Sequence, residues 1–275
     1  MISVIIPTCH RNDLLAKCLD CLTPGKQTLD PYEYEVIVTD DGSQSTAEQF
    51  IREKYPWVKW TAGPKRGPAA NRNHGARLAS GEWIALTDDD CLPSAGWLNA
   101  FKSAMKLGTQ VYEGRTTCEG GLPSPLFASP TNESGGYLWS CNMMISRVLF
   151  EELNGFDETF PFAAMEDVDF RDRIVATGHE FVFVPEAVID HPPRPVPTAR
   201  RRGEMTESEY VYFSRRGESM RKWPLIRQRA YIRLREIWRQ PKGVDSIKAI
   251  PHLMGEIATI YRLFPKWEEQ ARRGR

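Results

Sequence analysis

Three features of this 275-residue sequence predict an α/β fold with a sheet flanked by helices, followed by a helical, basic extension. Short β-branched apolar runs alternate with segments of helical spacing through about residue 190. Polar and glycine-containing stretches stand at the ends of those runs, as strand-to-helix turns require. The charge is also unevenly placed: residues 194–275 hold 20 of the 36 Lys and Arg but 9 of the 36 Asp and Glu, so a segment of +11 follows one of −11.

Ile2-Ser3-Val4-Ile5-Ile6 reads as a buried strand stopped by Pro7, after which Asn12 or Asp13 can cap a helix to about Leu22. A second strand, Tyr34–Thr39, ends in Asp40-Asp41-Gly42-Ser43 and precedes a helix from about Ser45 to Lys54. Trp57–Trp60 reads as a third strand, Pro68–Leu78 as a third helix and Glu82–Leu86 as a fourth strand; Pro93 and Ser94 open another helix. Cys118–Gly136, rich in Gly, Pro and Ser, reads as a mobile loop over the site, and Tyr137–Ile145 as a strand. Glu166–Ala176 has helical spacing, and Phe181–Val184 and Ala187–Asp190 are two short final strands. The run His191-Pro192-Pro193-Arg194-Pro195-Val196-Pro197 excludes regular structure and marks a boundary between domains 1–193 and 194–275.

A 41% apolar content suffices for one large core. The six cysteines show no small-scaffold disulfide framework, so a reducing, cytoplasmic compartment is expected. Cys18 and Cys21 have C-x-x-C spacing without a second pair or a nearby His, and fit two small apolar residues on a helix. No stretch approaches the roughly 18 apolar residues of a membrane span.

The strands of a parallel sheet end on one edge, where ligands bind, and Thr8, Asp40 and the triplet Asp88-Asp89-Asp90 all fall there. Three adjacent carboxylates behind the apolar run Trp83–Leu86 disfavour one another's ionisation and need solvent, protons or a cation. In an extended strand end Asp88 and Asp90 point the same way and Asp89 elsewhere, which suits one hard divalent ion, Mg²⁺ or Mn²⁺. A solvated acidic loop is the alternative.

Ser3–Thr8, Val36–Ser43, Ala70–Gly75, Asp88–Asp90 and Met165–Phe170, in that order, resemble the successive motifs of inverting glycosyltransferase family 2. The resemblance covers about residues 1–193. It implies the GT-A fold with a Rossmann-like mixed sheet, a nucleotide-sugar half at about 1–92, an acceptor half at about 93–193, and transfer from a nucleotide-sugar, expected to be a UDP-sugar. It places Pro7, Thr8, Arg11, Asp40, Arg72, Asp88 and Asp89 around the nucleotide, with Asp40 accepting a base imide. Asp90, Asp88 and His191 become ligands of Mn²⁺ or Mg²⁺. Asp167 becomes the catalytic base, beside Glu166 on acceptor or donor hydroxyls, and Trp139 and Asn142 face sugar or acceptor. The bland readings are a surface role for Arg72, helix capping for Glu166 and Asp167, a structural His191 and a core Trp139. His10 and His74 lie in site-facing loops without an assignable role.

Residues 225–239 place apolar side chains at 226, 230, 234 and 237 with arginines between them, an amphipathic helix. Packing on the catalytic domain, a dimer contact, or an anionic membrane surface at the inner face of a bilayer are the candidate partners; no base-reading motif points to nucleic acid. The acceptor expected from the resemblance is a glycan or lipid-linked saccharide. A nucleotidyltransferase lacks its glycine-rich first loop here, a glycosidase would leave the triplet idle, and a non-catalytic sugar-binding or nucleotide-binding protein is the reading from another class.

Overall fold

In the computed structural model, which describes residues 1–106, 108–239 and 243–273, the N-terminal apolar run forms β1 (Ile2–Thr8), buried at every position. Residues 240–242 and 274–275 of the basic extension lie outside the described residues. Two compact units are resolved: Met1–Glu119, Pro130–Glu158 and Glu166–Pro192 form a sheet unit, and Gly120–Ser129, Thr159–Met165 and Pro193–Arg275 a helical unit.

In chain order the sheet unit continues with α1 (Asn12–Leu22), β2 (Tyr34–Asp40), α2 (Glu48–Lys54), β3 (Lys59–Ala62), α3 (Pro68–Arg77) and β4 (Trp83–Leu86). Then come β5 (Leu92–Pro93), α4 (Trp97–Ala104) and β6 (Val111–Thr117); β7 (Phe127–Ala128) belongs to the helical unit. The sheet unit resumes with β8 (Met143–Ser146), α5 (Arg147–Glu152), α6 (Glu166–Ala176) and β9 (Phe181–Asp190). Its eight strands run in the order β3-β2-β1-β4-β8-β6-β9-β5. The first four are mutually parallel; β8 is antiparallel to β4 and β6, and β5 to β9. This is the mixed α/β architecture that the sequence predicts.

Burial on both faces accounts for the β-branched, nearly unbroken apolar runs of the parallel strands. On one face Leu15, Cys18, Leu19 and Leu22, a helical stripe of α1, pack with Val4, Ile6, Val36 and Val38. On the other, Ile5 and Ile37 meet α3, where a Cβ on Gly75 would lie 2.5 Å from Ile5 Cγ2, so only glycine allows this approach. Phe170 of α6 sits edge-on to Phe150, ring centroids 5.4 Å apart, and against Phe156 at 4.7 Å, which fixes the start of α6 in space.

Several element boundaries differ from expectation, each for a local reason. Neither Asn12 nor Asp13 caps α1: Arg11 is the cap residue, and its side chain is drawn to the aspartate triplet instead. The loop before α2 runs to Ala47 because the Ala47 N–H is held by Asp40. β3 starts at Lys59, not Trp57. Pro93 does not start a helix; it extends β5, and α4 begins only at Trp97. Tyr137–Asn142 is not strand, because the chain wraps around the buried Glu113, whose carboxylate accepts the N–H groups of Gly136, Tyr137 and Leu138. The two final strands are one, β9, with a register irregularity opposite Gly114 and Arg115.

The helical unit contains β10 (Arg194–Pro195), α7 (Ala199–Arg215), α8 (Lys222–Arg239) and α9 (Val244–Arg273). Contrary to expectation, the proline run contributes β10, antiparallel to β7, and residues 120–129 of the expected site loop cluster with this unit. Thr198 caps α7 by accepting the Arg201 N–H. Tyr210, Leu225, Ile226, Ile260, Phe264 and Trp267 form its apolar core. The α7–α9 crossing is close: a Cβ on Gly203 would lie 2.6 Å from Thr259 Cβ. Beside it Glu256 is fully buried, 3.4 Å from Arg202, 3.7 Å from Arg229 and 3.9 Å from Arg233.

Candidate active site

β1 and β2 end side by side, Thr8 opposite Asp40, and the chain leaving β4 turns through Asp88–Asp90 beside them. β4 stops at Leu86, so the triplet is not the extended strand end that would alternate its side chains, and each carboxylate has its own surroundings. Asp89 is fully buried; it accepts the Thr8 hydroxyl at 2.7 Å and lies 2.6 Å from Arg11 Nη2. Arg11 reaches Asp90 as well, Nη1 to Oδ2 at 3.1 Å, so one planar guanidinium forks across two neighbouring acids. Burial pushes the Asp89 carboxyl up to about 7 against the opposing pull of Arg11 and the Thr8 hydroxyl.

Asp88 turns to the other arginine. Arg72, buried on α3, donates to Asp88 at 2.6 Å and lies 3.4 Å from Glu166 at the start of α6. Burial opposes its charge, but Asp88 and Glu166 raise its pKa above the ordinary arginine value, so it stays cationic. The same helix supplies two anchors that the sequence reading left without a role. Asn71 donates to the Thr39 carbonyl at 2.8 Å, and Asn73 exchanges two hydrogen bonds with the Phe156 backbone. They fix α3 to β2 and to the chain ahead of α6. No spacing in the sequence separates these asparagines from surface ones.

Glu166 and Asp167 open α6, and Met165 before them takes a left-handed backbone, φ 73°. Burial raises the pKa of both; for Glu166 the neighbouring Asp167 adds to the rise, while Arg72 opposes it in both. Asp167 also accepts the Val168 N–H at 2.9 Å, a first-turn bond that does not exclude a second role for the other oxygen.

On the far side, His191 follows β9 and is fully buried. Its Nδ1 lies 3.1 Å from the Pro192 carbonyl, which can only accept, so the proton of a neutral ring sits there and Nε2 presents a lone pair. That nitrogen faces Asp90 Oδ1 at 3.5 Å, two electron-rich atoms at a spacing that one cation can bridge. Cys91 completes a group whose ligand atoms all lie within 4.8 Å. Burial, and a hydrogen bond with Cys141, push the Cys91 thiol well up, so it keeps its proton and offers no thiolate. A carboxylate and an imidazole fit a borderline-hard divalent ion.

Asp40 ends β2 at this same edge, whereas Asn142, Trp139 and Pro7 do not join the charged cluster. Asp40 is buried and spends its oxygens on the Gly42 and Ala47 N–H groups at 2.7 and 2.6 Å, which shapes the 41–47 loop. Asn142 is buried and turned inward: it accepts Trp97 Nε1 and donates to the Arg115 and Ala187 carbonyls, which commits its amide to the core. Trp139 is half-buried against the core and tilted onto Tyr137, centroids 4.6 Å apart. Pro7 is buried within β1. His10 has φ 56° and contacts Ser43 and Ser45, tying the loop after β1 to that after β2.

The sequence of the sheet unit decides what this edge belongs to. Residues 3–123 match the profile described as glycosyl transferase family 2, and residues 130–192 that described as the N-terminal domain of galactosyltransferase. Residues 3–123 thus resemble a glycosyltransferase family 2 domain. The chain is 27% identical over 209 residues to the glycosyltransferase AglE of Haloferax volcanii, an alignment covering 70% of this chain and 67% of that one. It is 33% identical over 114 residues to a chondroitin synthase of Escherichia coli, covering 40% of this chain and only 16% of the relative, so it spans a small part of that protein. The mannosyltransferase PcManGT of Pyrobaculum calidifontis, solved with GDP-Man and Mn²⁺, has the same GT-A fold, with a TM-score of 0.57 and 21% identity over 95% of this chain and 75% of that one.

Proposed function

We propose that this chain is a family 2 glycosyltransferase and transfers a sugar, with inversion, from a nucleotide-diphosphate donor to a saccharide or lipid-linked saccharide hydroxyl. The observation that carries this reading is Arg72. It joins Asp88, at the nucleotide edge, to Glu166, beside the candidate base, in one charged network. Nucleotide-activated donors are supported by the PcManGT structure with GDP-Man and Mn²⁺, and a saccharide acceptor by the relative named chondroitin synthase.

In this mechanism Thr8, Arg11 and Asp89 hold the wall of the donor site, with Asp40 fixing the adjacent loop. Asp90 and His191 would hold Mn²⁺ or Mg²⁺, the imidazole favouring Mn²⁺. Asp88, expected as a further ligand, is instead paired with Arg72. When bound, that ion supplies positive charge to the donor diphosphate. The acceptor oxygen attacks the anomeric carbon as Asp167 takes the hydroxyl proton. The bond from that carbon to the diphosphate oxygen breaks, and its electron pair leaves with the nucleotide. Because burial raises the pKa of Asp167, its carboxylate is a stronger base than one in water. Glu166 orients a hydroxyl beside it, held by Arg72.

A panel of UDP- and GDP-sugars, read by nucleotide release with each metal, tests the reading, and the anomeric configuration of the product tests inversion. A donor hydrolysed or transferred with retention would overturn the assignment of Asp167 as base.

A further inference from the structure

α8 and α9 bury one side of each helix and present a second apolar stripe to solvent. On α8, Leu225, Ile226 and Arg233 point inward, whereas Tyr231, Leu234 and Trp238, three and four residues apart, lie on another face. Trp238 is 75% exposed. On α9 the inward residues include Leu253, Ile260 and Phe264, while Val244, Ile247 and Met254 follow a separate stripe and are 68, 74 and 67% exposed. A cleft of about 810 Å³ between the two helices is lined by Leu234, Trp238, Ile247 and their apolar neighbours, joining the stripes into one surface. Soluble monomers rarely leave so continuous an apolar surface in water.

The chemistry around the stripe names its occupant. Residues 222–262 carry nine Lys and Arg against three Asp and Glu. Arg227 shares the face of Tyr231 and Trp238, Arg235 follows Leu234 and Arg239 follows Trp238, so exposed guanidiniums edge the apolar surface. A second copy meeting the same face by two-fold symmetry would set these arginines against each other. Anionic headgroups complement them, and exposed Trp and Tyr suit the headgroup level of a bilayer. No helix among the described residues is long and apolar enough to cross a membrane, so the surface lies on the bilayer.

We propose that the α8–α9 face, with Trp238, Leu234 and Ile247 inserted and Arg235 and Arg239 at the headgroups, docks the chain on an anionic membrane surface. The whole chain is sedimented with phosphatidylcholine vesicles, and with vesicles of equal phosphatidylcholine and phosphatidylglycerol. It should pellet with the mixed vesicles at least about tenfold better, with a blue shift of tryptophan emission, and lose that preference at about 1 M salt, where the Debye length is about 3 Å. Trp238→Ala with Ile247→Ser should lower the partition about tenfold or more. Arg235→Glu with Arg239→Glu should abolish the preference for the mixed vesicles; both pairs are exposed, and both should leave the melting curve and nucleotide binding unchanged. No pelleting with mixed vesicles in low salt would overturn the proposal. So would a dimer that the Trp238 and Ile247 pair dissolves while vesicle binding stays the same.

Discussion

At the edge of the sheet unit, Arg11 and Arg72 face five carboxylates, those of Asp88, Asp89, Asp90, Glu166 and Asp167. In the helical unit, Arg202, Arg229 and Arg233 surround Glu256, and Glu209 and Glu236 complete three acids for three bases. Among the described residues the first cluster sets two arginines against five carboxylates, and the second three against three. The surplus shows chemically: burial and mutual repulsion raise the pKa of Asp89, Glu166 and Asp167. In the second network each charge has an opposite partner, although burial and the neighbouring arginines lower the Arg202 pKa, whereas surplus acid at a sheet edge is completed by a cation and supplies a base.

The largest effect expected from this contrast is on turnover. Asp167→Asn should lower kcat by about 10³-fold or more while donor binding, followed by titration, stays near that of the parent. The parent's rate should rise with pH through a value above the ordinary carboxylate range, since only the ionised carboxylate accepts a proton and burial raises its pKa. Next in size is Arg72→Met, which leaves Asp88 and Glu166 without their shared cation. Denaturant unfolding should show a loss of about 3–5 kcal/mol, and adding Glu166→Gln should restore part of it. The same operation on the balanced cluster, Glu256→Gln, should cost less, about 2 kcal/mol, because Arg229 and Arg233 keep Glu209 and Glu236; an equal cost would erase the distinction.

The comparison also shows what the sequence could convey. Strand runs were legible because parallel strands buried on both faces are continuously apolar, and the five ordered motifs placed the edge. Boundaries that depend on a side chain outside the element were not: Glu113 unravels the expected strand at 137–142 from 25 residues away, and Asp40 postpones α2 from the end of the preceding strand. Asn142 illustrates the same limit in the site, since only the fold brings the Trp97 indole and two carbonyls around its amide. The amphipathic pattern of 225–239 was plain, but periodicity alone cannot say that α8 has one buried face and a second apolar stripe left in solvent.

The smallest effect concerns the sheet's own framework. Glu35 accepts hydrogen bonds from Ser3 and Ser80 and pairs with Lys59, and although burial opposes it, these bonds hold its pKa down at about 2. A folded-state pKa below the unfolded one gives stability that is present above about pH 4.5 and lost as pH falls towards 2. Glu35→Gln should therefore lower stability by about 1 kcal/mol at neutral pH, after allowing for solvent screening, and by almost nothing near pH 2.

The surplus-acid account is tested most directly by thermal unfolding with UDP or GDP, with Mn²⁺ and with chelator, on the parent, Asp90→Ala and Glu256→Gln. The account predicts that nucleotide stabilises the parent and Glu256→Gln only when Mn²⁺ is present, by about 2.7 kcal/mol at a hundredfold excess over Kd, and that Asp90→Ala loses this response. Equal stabilisation in chelator, or an Asp90→Ala variant that responds like the parent, would contradict it.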